Sequence, residues 1–177
     1  MTAAIITASA SVVVAVMAFL LSQFAQIRQE RRQALLARVN SQLRDLYGPL
    51  NAYVDANEKI WDALRETLLP PQSERRPEAA TPEWLKWRDQ VLIPTNRRMR
   101  ELIIEHADLI SEKEFPVPLL AFCAHVQSLE VALAEEAEGV RRRALIKHPG
   151  EDYTKYVRNS YLRLKEQQQN LLGLTTP

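Results

Sequence analysis

From Thr2 to Ile27 the chain carries no charged side chain, and Arg28 ends this run abruptly. As a helix rising 1.5 Å per residue the run reaches about 40 Å, against a hydrocarbon core of about 30 Å. Its most apolar part, Ile5–Leu21, reads IITASASVVVAVMAFLL. A cleaved signal peptide would start with basic residues, and none precedes the run; the small residues near Ala25 also make a poor cleavage site. A buried helix of a globular domain would not end at such a sharp charge boundary. The expectation is a retained transmembrane anchor over residues 1–27, followed by a domain over residues 28–177.

The flanks set the orientation. Nothing basic lies before the run, while Arg28, Arg31, Arg32 and Arg38 follow it closely. The positive-inside rule then places the short N-terminus outside and the C-terminal part in the cytoplasm. A single cysteine, Cys123, excludes a disulfide framework and fits a reducing compartment. Within the anchor, Thr7, Ser11, Ala15, Ala18 and Ser22 recur every three or four residues along one helix face. Small residues there would let a second transmembrane helix approach closely, so a homo-oligomer or another protein partner is expected on this face.

Charge narrows the function classes. Lysine and arginine (23) almost balance aspartate and glutamate (22), which argues against a nucleic-acid partner. The small excess sits beside the anchor: Arg28–Gly48 holds five basic and two acidic residues, and the remainder is neutral or slightly acidic. Four glycines leave no phosphate-cradling loop and no turn-rich β fold, and no strand-like alternation appears.

Helical periodicity runs through nearly all of the rest. Leu35, Val39, Leu43, Leu46, Leu50, Tyr53, Val54, Ile60, Trp61, Leu64 and Leu68 form one apolar seam. The seam keeps its register across Gly48-Pro49, where proline demands a kink or a very short joint. Residues 70–82, PPQSERRPEAATP, read as a loop, and Thr81-Pro82-Glu83 as a capped helix start. The next helix carries Trp84, Trp87, Val91, Met99, Leu102, His106 and Leu109; Pro94 interrupts it, and Asn96 is placed to cap a fresh start. After the connector Ser111–Pro118, Leu119–Glu138 is amphipathic, with an extension through Lys147 left open. His148-Pro149-Gly150 stops the chain before a last helix over Tyr153–Leu172. The fold class is therefore all-α: an N-terminal transmembrane helix followed by a cytoplasmic antiparallel bundle of about four long helices.

No motif carries chemistry. His-Glu-x-x-His, paired Glu-x-x-His, Gly-x-Ser-x-Gly, Walker and dinucleotide loops are all absent, so no catalytic, cofactor or metal residue is assigned. Cys123 beside Phe122 reads as a core cysteine. Arg97-Arg98-Met99-Arg100 and Arg141-Arg142-Arg143 with Lys147 read as solvated helix surface neutralised by neighbouring acids.

Leu46-Tyr47-Gly48-Pro49-Leu50, with the run on to Trp61, resembles a group of uncharacterised small bacterial membrane-anchored, all-helical proteins. The segments Ile93–Met99, Ile104–Leu109 and Phe122–Val126 extend the resemblance. It implies a single-pass architecture in a bacterial inner membrane and no activity. Asn96, His106 and His125 fall in these segments, and are expected to form a polar cluster inside the bundle, structural in the first instance. The function read from the sequence is an interaction or scaffold module tethered to the bilayer; the alternative is an enzyme or small-ligand sensor with a site between helices.

Overall fold

The computed structural model describes residues 2–69, 81–140 and 144–174, with side chains from Val16 onward. Among them the structure is all-helical, without a strand. Helix α1 spans Thr2–Ser41 and runs through a π-helical turn, Gln42–Tyr47, into α2, Gly48–Thr67. Helix α3, Pro82–Trp87, joins α4, Ile93–Glu105, through a second π-helical turn at Arg88–Leu92. Helix α5 covers Val117–Ala137 and α6 covers Glu151–Leu172.

The two π-helical turns share a cause. A proline inside a helix lacks its amide donor, and its ring clashes with the carbonyl four residues back. Both turns stand immediately before such a proline, Pro49 and Pro94, and each widens the helix by one residue. Gly48 N–H donates to the Leu43 carbonyl and Ile93 N–H to the Arg88 carbonyl, both five residues back. The Gly48-Pro49 step is thus crossed without a loop. Pro94 likewise leaves α4 intact, so Asn96 lies inside the helix rather than capping a new one; Thr95 Oγ1 donates instead to the Val91 carbonyl at 2.7 Å.

Gly48 has ordinary helical dihedrals, so its value lies in what it lacks. A Cβ there would fall well inside contact distance of the Leu43 carbonyl oxygen, which is backbone and cannot swing away. Gly48→Ala should therefore cost about 1–3 kcal/mol, the range for forcing extra bulk into a packed site. Denaturant unfolding measures this. A cost below about 0.5 kcal/mol, usual for an exposed surface change, would show that the turn opens freely.

Ordinary capping rules set the remaining ends. Thr81 Oγ1 accepts from Trp84 N–H at 3.2 Å, as its position before Pro82 predicts. The open extension of α5 is not taken up: the helix stops at Ala137, and Gly139 turns the chain at φ +85°. Gly173 ends α6 in the left-handed conformation, with Leu174 N–H returning to the Gln169 carbonyl.

Neighbouring helices run antiparallel, as the order of their contacts shows. Along α1 and its π-helical turn, Arg32 meets Leu171, Asn40 meets Gln168 and Tyr47 meets Tyr156. Between the α3–α4 rod and α5, Arg88 meets Glu136, Arg97 meets Glu130 and Arg100 meets Gln127. Against α4, Gln42 meets Leu109 and Trp61 packs on Trp84. The core between these rods holds Leu46, Leu50, Val54, Met99, Ile103, Leu119, Phe122, Val126, Tyr153 and Val157. The apolar seam enters it at Val39; Leu35, its first expected member, is exposed.

Among the described residues the helix long and apolar enough to cross a membrane is α5. Its Leu119, Phe122, Val126 and Ala132 are buried in the assembly, and Glu130 and Glu136 pair with Arg97 and Arg88. One side of α5 thus packs into the core between α4 and α6, while Val117, Leu120 and Val131 stay exposed. Among the described residues, Val16–Ile27 of α1 are all exposed.

Candidate functional site

Every described residue of α1 from Val16 to Leu35 is exposed. Met17, Phe19, Leu21 and Phe24 each leave more than half of their surface uncovered, up to 68% for Phe24. The last contacts α1 makes before it leaves the assembly are polar. Arg32 donates from Nε and Nη2 to the Leu171 carbonyl at 2.9 and 2.5 Å, so a cation meets the negative end of α6. One helical turn or two beyond, Gln168 donates to Asn40 at 2.7 Å. Of the small-residue stripe, Ala18 and Ser22 are exposed, while Thr7, Ser11 and Ala15 lie outside the residues whose side chains are described. Leu21, Phe24, Arg28, Arg32 and Leu36 line an open groove along α1.

A second cluster, built where α4 hands over to α5, holds the most buried polar groups. Gln42, 3% exposed, donates from Nε2 to the Leu109 carbonyl at 2.6 Å and to Ser111 Oγ at 2.7 Å. Tyr156 O–H donates to Glu112 Oε1 at 2.9 Å, which leaves Tyr47 O–H to donate to Tyr156 across 3.1 Å. Burial pushes both phenols above their ordinary range, aided at Tyr156 by the bond with Tyr47. Arg163 lies 3.6 Å from Glu112, and Arg38 donates to the Asp108 carbonyl at 3.2 Å. These groups tie the connector to α1 and α6. The sequence signal for Gln42 was its place on the apolar seam, where a polar residue must find partners. Glu112 and Tyr156 offered no signal, because nothing local shows that they meet.

Asn96, His106 and His125 occupy separate places. Asn96 precedes His106 by ten residues on α4, about 15 Å along the axis. His106 closes α4 near Asp45, where its charge helps to hold that carboxyl below its ordinary range, behind the larger effect of the Arg44 hydrogen bond. His125 faces the Ile146 carbonyl at 2.7 Å, so Nδ1 carries the proton, and Ile146 N–H donates in turn to Ser128 Oγ at 3.0 Å. Its ring neighbour is His148, edge-on with centroids 5.0 Å apart. These bonds strap Ala144–Gly150 across α5.

His148 Nδ1 accepts from Gly150 N–H at 2.9 Å, and its ring packs edge-on against Phe122 and Tyr153. Solvent reaches the residue, yet desolvation of the ring by these neighbours, and then His125, lower its pKa to about 4. The unfolded chain titrates this group near 6.5. Below that pH the unfolded state takes up a proton that the folded state refuses, so stability is lost as pH falls from about 6.5 toward about 4. Asp45, Glu130 and Glu151, whose folded values lie below the ordinary ones, lose their contributions only at still lower pH. His148→Asn keeps an acceptor for Gly150 and should flatten the fall in denaturation midpoint between pH 7 and pH 5; an unchanged slope would assign it to other groups.

Cys123 is half-buried, and burial raises its thiol pKa, the opposite of an activated nucleophile. Arg97 and Arg98 are paired with Glu130, Glu101 and Glu105, and Arg100 bonds Gln127. Arg141, Arg142 and Arg143 lie outside the described residues, and Lys147 is exposed. Among the described residues no three His, Cys, Asp or Glu side chains are placed to hold one metal ion. The chain matches no protein family and no curated protein, and its structure matches no solved structure.

Proposed function

We propose that the chain is a membrane-tethered interaction module: α1 crosses a bacterial inner membrane with its N-terminus outside, and residues 28–177 form a bundle at the cytoplasmic face. The observation that supports this reading is the exposed apolar stretch Val16–Ile27 of α1, on which none of the described residues packs. Exposed leucine and phenylalanine at this density are stable in lipid and costly in water. Arg28, Arg31 and Arg32 at the boundary supply the topology signal.

The role proposed is scaffolding or partner binding rather than catalysis. Its support is that the polar clusters are used internally, at the connector and the 144–150 strap. The stripe from Thr7 to Ser22 gives the anchor a face for a second copy or another single-span protein.

The intact chain tests this in cells. It should resist carbonate extraction, and in a Cys123→Ser background a cysteine at Thr2 should react with an impermeant thiol reagent from outside while one at Leu145 should not. Extraction into the carbonate supernatant, or labelling only at Leu145, would overturn the anchor or its orientation. In-membrane crosslinking that recovers only monomer would overturn the interaction role.

A further inference from the structure

We infer that the groove on α1 seats the headgroup of one anionic phospholipid of the cytoplasmic leaflet. This rests on the reading of α1 as a membrane span and adds a defined ligand to it. The groove residues follow the helix at alternating steps of three and one, which makes them a single stripe. Along that stripe Leu21, Phe24 and Ala25 are apolar, and Arg28, Gln29 and Arg32 follow within about 10 Å of axis. The change from apolar to cationic therefore occurs over the distance in which a phospholipid changes from acyl chain to phosphate.

Among the described arginines, Arg38 bonds a backbone carbonyl and Arg100 an amide oxygen, and the rest divide by charge pairing. Arg44, Arg65, Arg88, Arg97, Arg98, Arg158 and Arg163 all lie within ion-pair distance of a carboxylate. None does so for Arg28, Arg31 or Arg32 among the described residues. Glu30, the one acid between them, is bonded to Gln26 at 3.0 Å. Arg32 is held on the Leu171 carbonyl, so its positive charge is fixed in position without being neutralised by an acid. Arg28, one turn nearer the apolar residues, has no partner among the described residues. A fixed cation beside an unpaired one, above an apolar cleft, suits a phosphate with its acyl chains below; a zwitterionic headgroup would bring its own cation into the same place.

The test reconstitutes the full chain into vesicles of phosphatidylcholine with phosphatidylglycerol, and reads flotation and then the lipids retained after mild detergent extraction. The wild-type chain should retain about one phosphatidylglycerol, in preference to phosphatidylcholine. Arg28→Gln should still float but lose that preference by about fivefold or more, the scale of one cation at an anionic surface. Arg38→Gln, outside the groove, should keep it. Equal retention of the two lipids by the wild type, or equal losses in Arg28→Gln and Arg38→Gln, would overturn the seat while leaving the anchor in place. Failure of the wild-type chain to float would overturn the anchor and the seat together.

Discussion

Replacing Phe122 by alanine is expected to lower stability by about 3–5 kcal/mol, the range for removing a fully buried aromatic. Phe122 has no exposed surface and lies flat on Tyr153, with ring centroids 4.1 Å apart and planes 6° from parallel. His148 packs on its edge at 5.7 Å. Truncation therefore empties the junction of α5, α6 and the 144–150 strap in one step. It also opens the surroundings of Tyr153, whose hydroxyl has the Met99 sulfur at 3.5 Å as its partner. For a chain of this length the melting temperature should fall by roughly 6–20 °C. Phe122→Leu, which keeps more of the volume, should cost less. Thermal unfolding of both variants in the same detergent decides it; a loss below about 2 °C for alanine would mean that the core does not close around this ring.

Arginine at Val16 and Leu20 together is expected to move the chain out of the membrane fraction. Each arginine near the centre of a span costs about 2.5–3.5 kcal/mol on insertion scales, enough to offset the apolar gain of a weakly hydrophobic helix when two are present. Val131→Arg supplies the comparison, because among the described residues α5 is the helix with the length and apolarity to span. Val131 is exposed on α5, so arginine there should leave membrane association unchanged if α5 belongs to the helical assembly. Release by Val131→Arg and retention of the α1 double variant would exchange the roles of the two helices. Fractionation of the three full-length chains after carbonate treatment reads the result.

Much of the helix content was legible locally. The seam from Val39 to Leu64, the Thr81 cap and the stop after Leu172 follow from side-chain period and capping chemistry, which act within a few residues. The manner in which the chain crosses Pro49 and Pro94 was not. A missing amide announces a disturbance, but a π-helical turn, a kink and a break all accommodate it. At Pro49 the absent Cβ of Gly48 lets the Leu43 carbonyl close in.

The polar sites show the same division. Asn96, His106 and His125 look alike in a sequence, as polar residues on apolar helical faces. The structure gives them a mid-helix place, a helix end beside Asp45 and a strap across α5. The Gln42, Tyr47, Glu112 and Tyr156 cluster gathers residues from α6, the connector and the turn after α1, with bonded pairs up to 109 positions apart. Such a meeting depends on which helices run antiparallel and in what register, and packing sets both.

By itself the sequence determined the helical class, most of the helix ends and the charge boundary at Arg28, because backbone hydrogen bonding, capping and transfer from water depend on near neighbours. Only the tertiary structure decided that Leu119, Phe122, Val126 and Ala132 of α5 enter the core while Val117, Leu120 and Val131 stay exposed, and that Val16–Ile27 of α1 is exposed. The two sides of α5 differ because packing against α4 and α6 covers one of them, and no local signal in the sequence says which side that is.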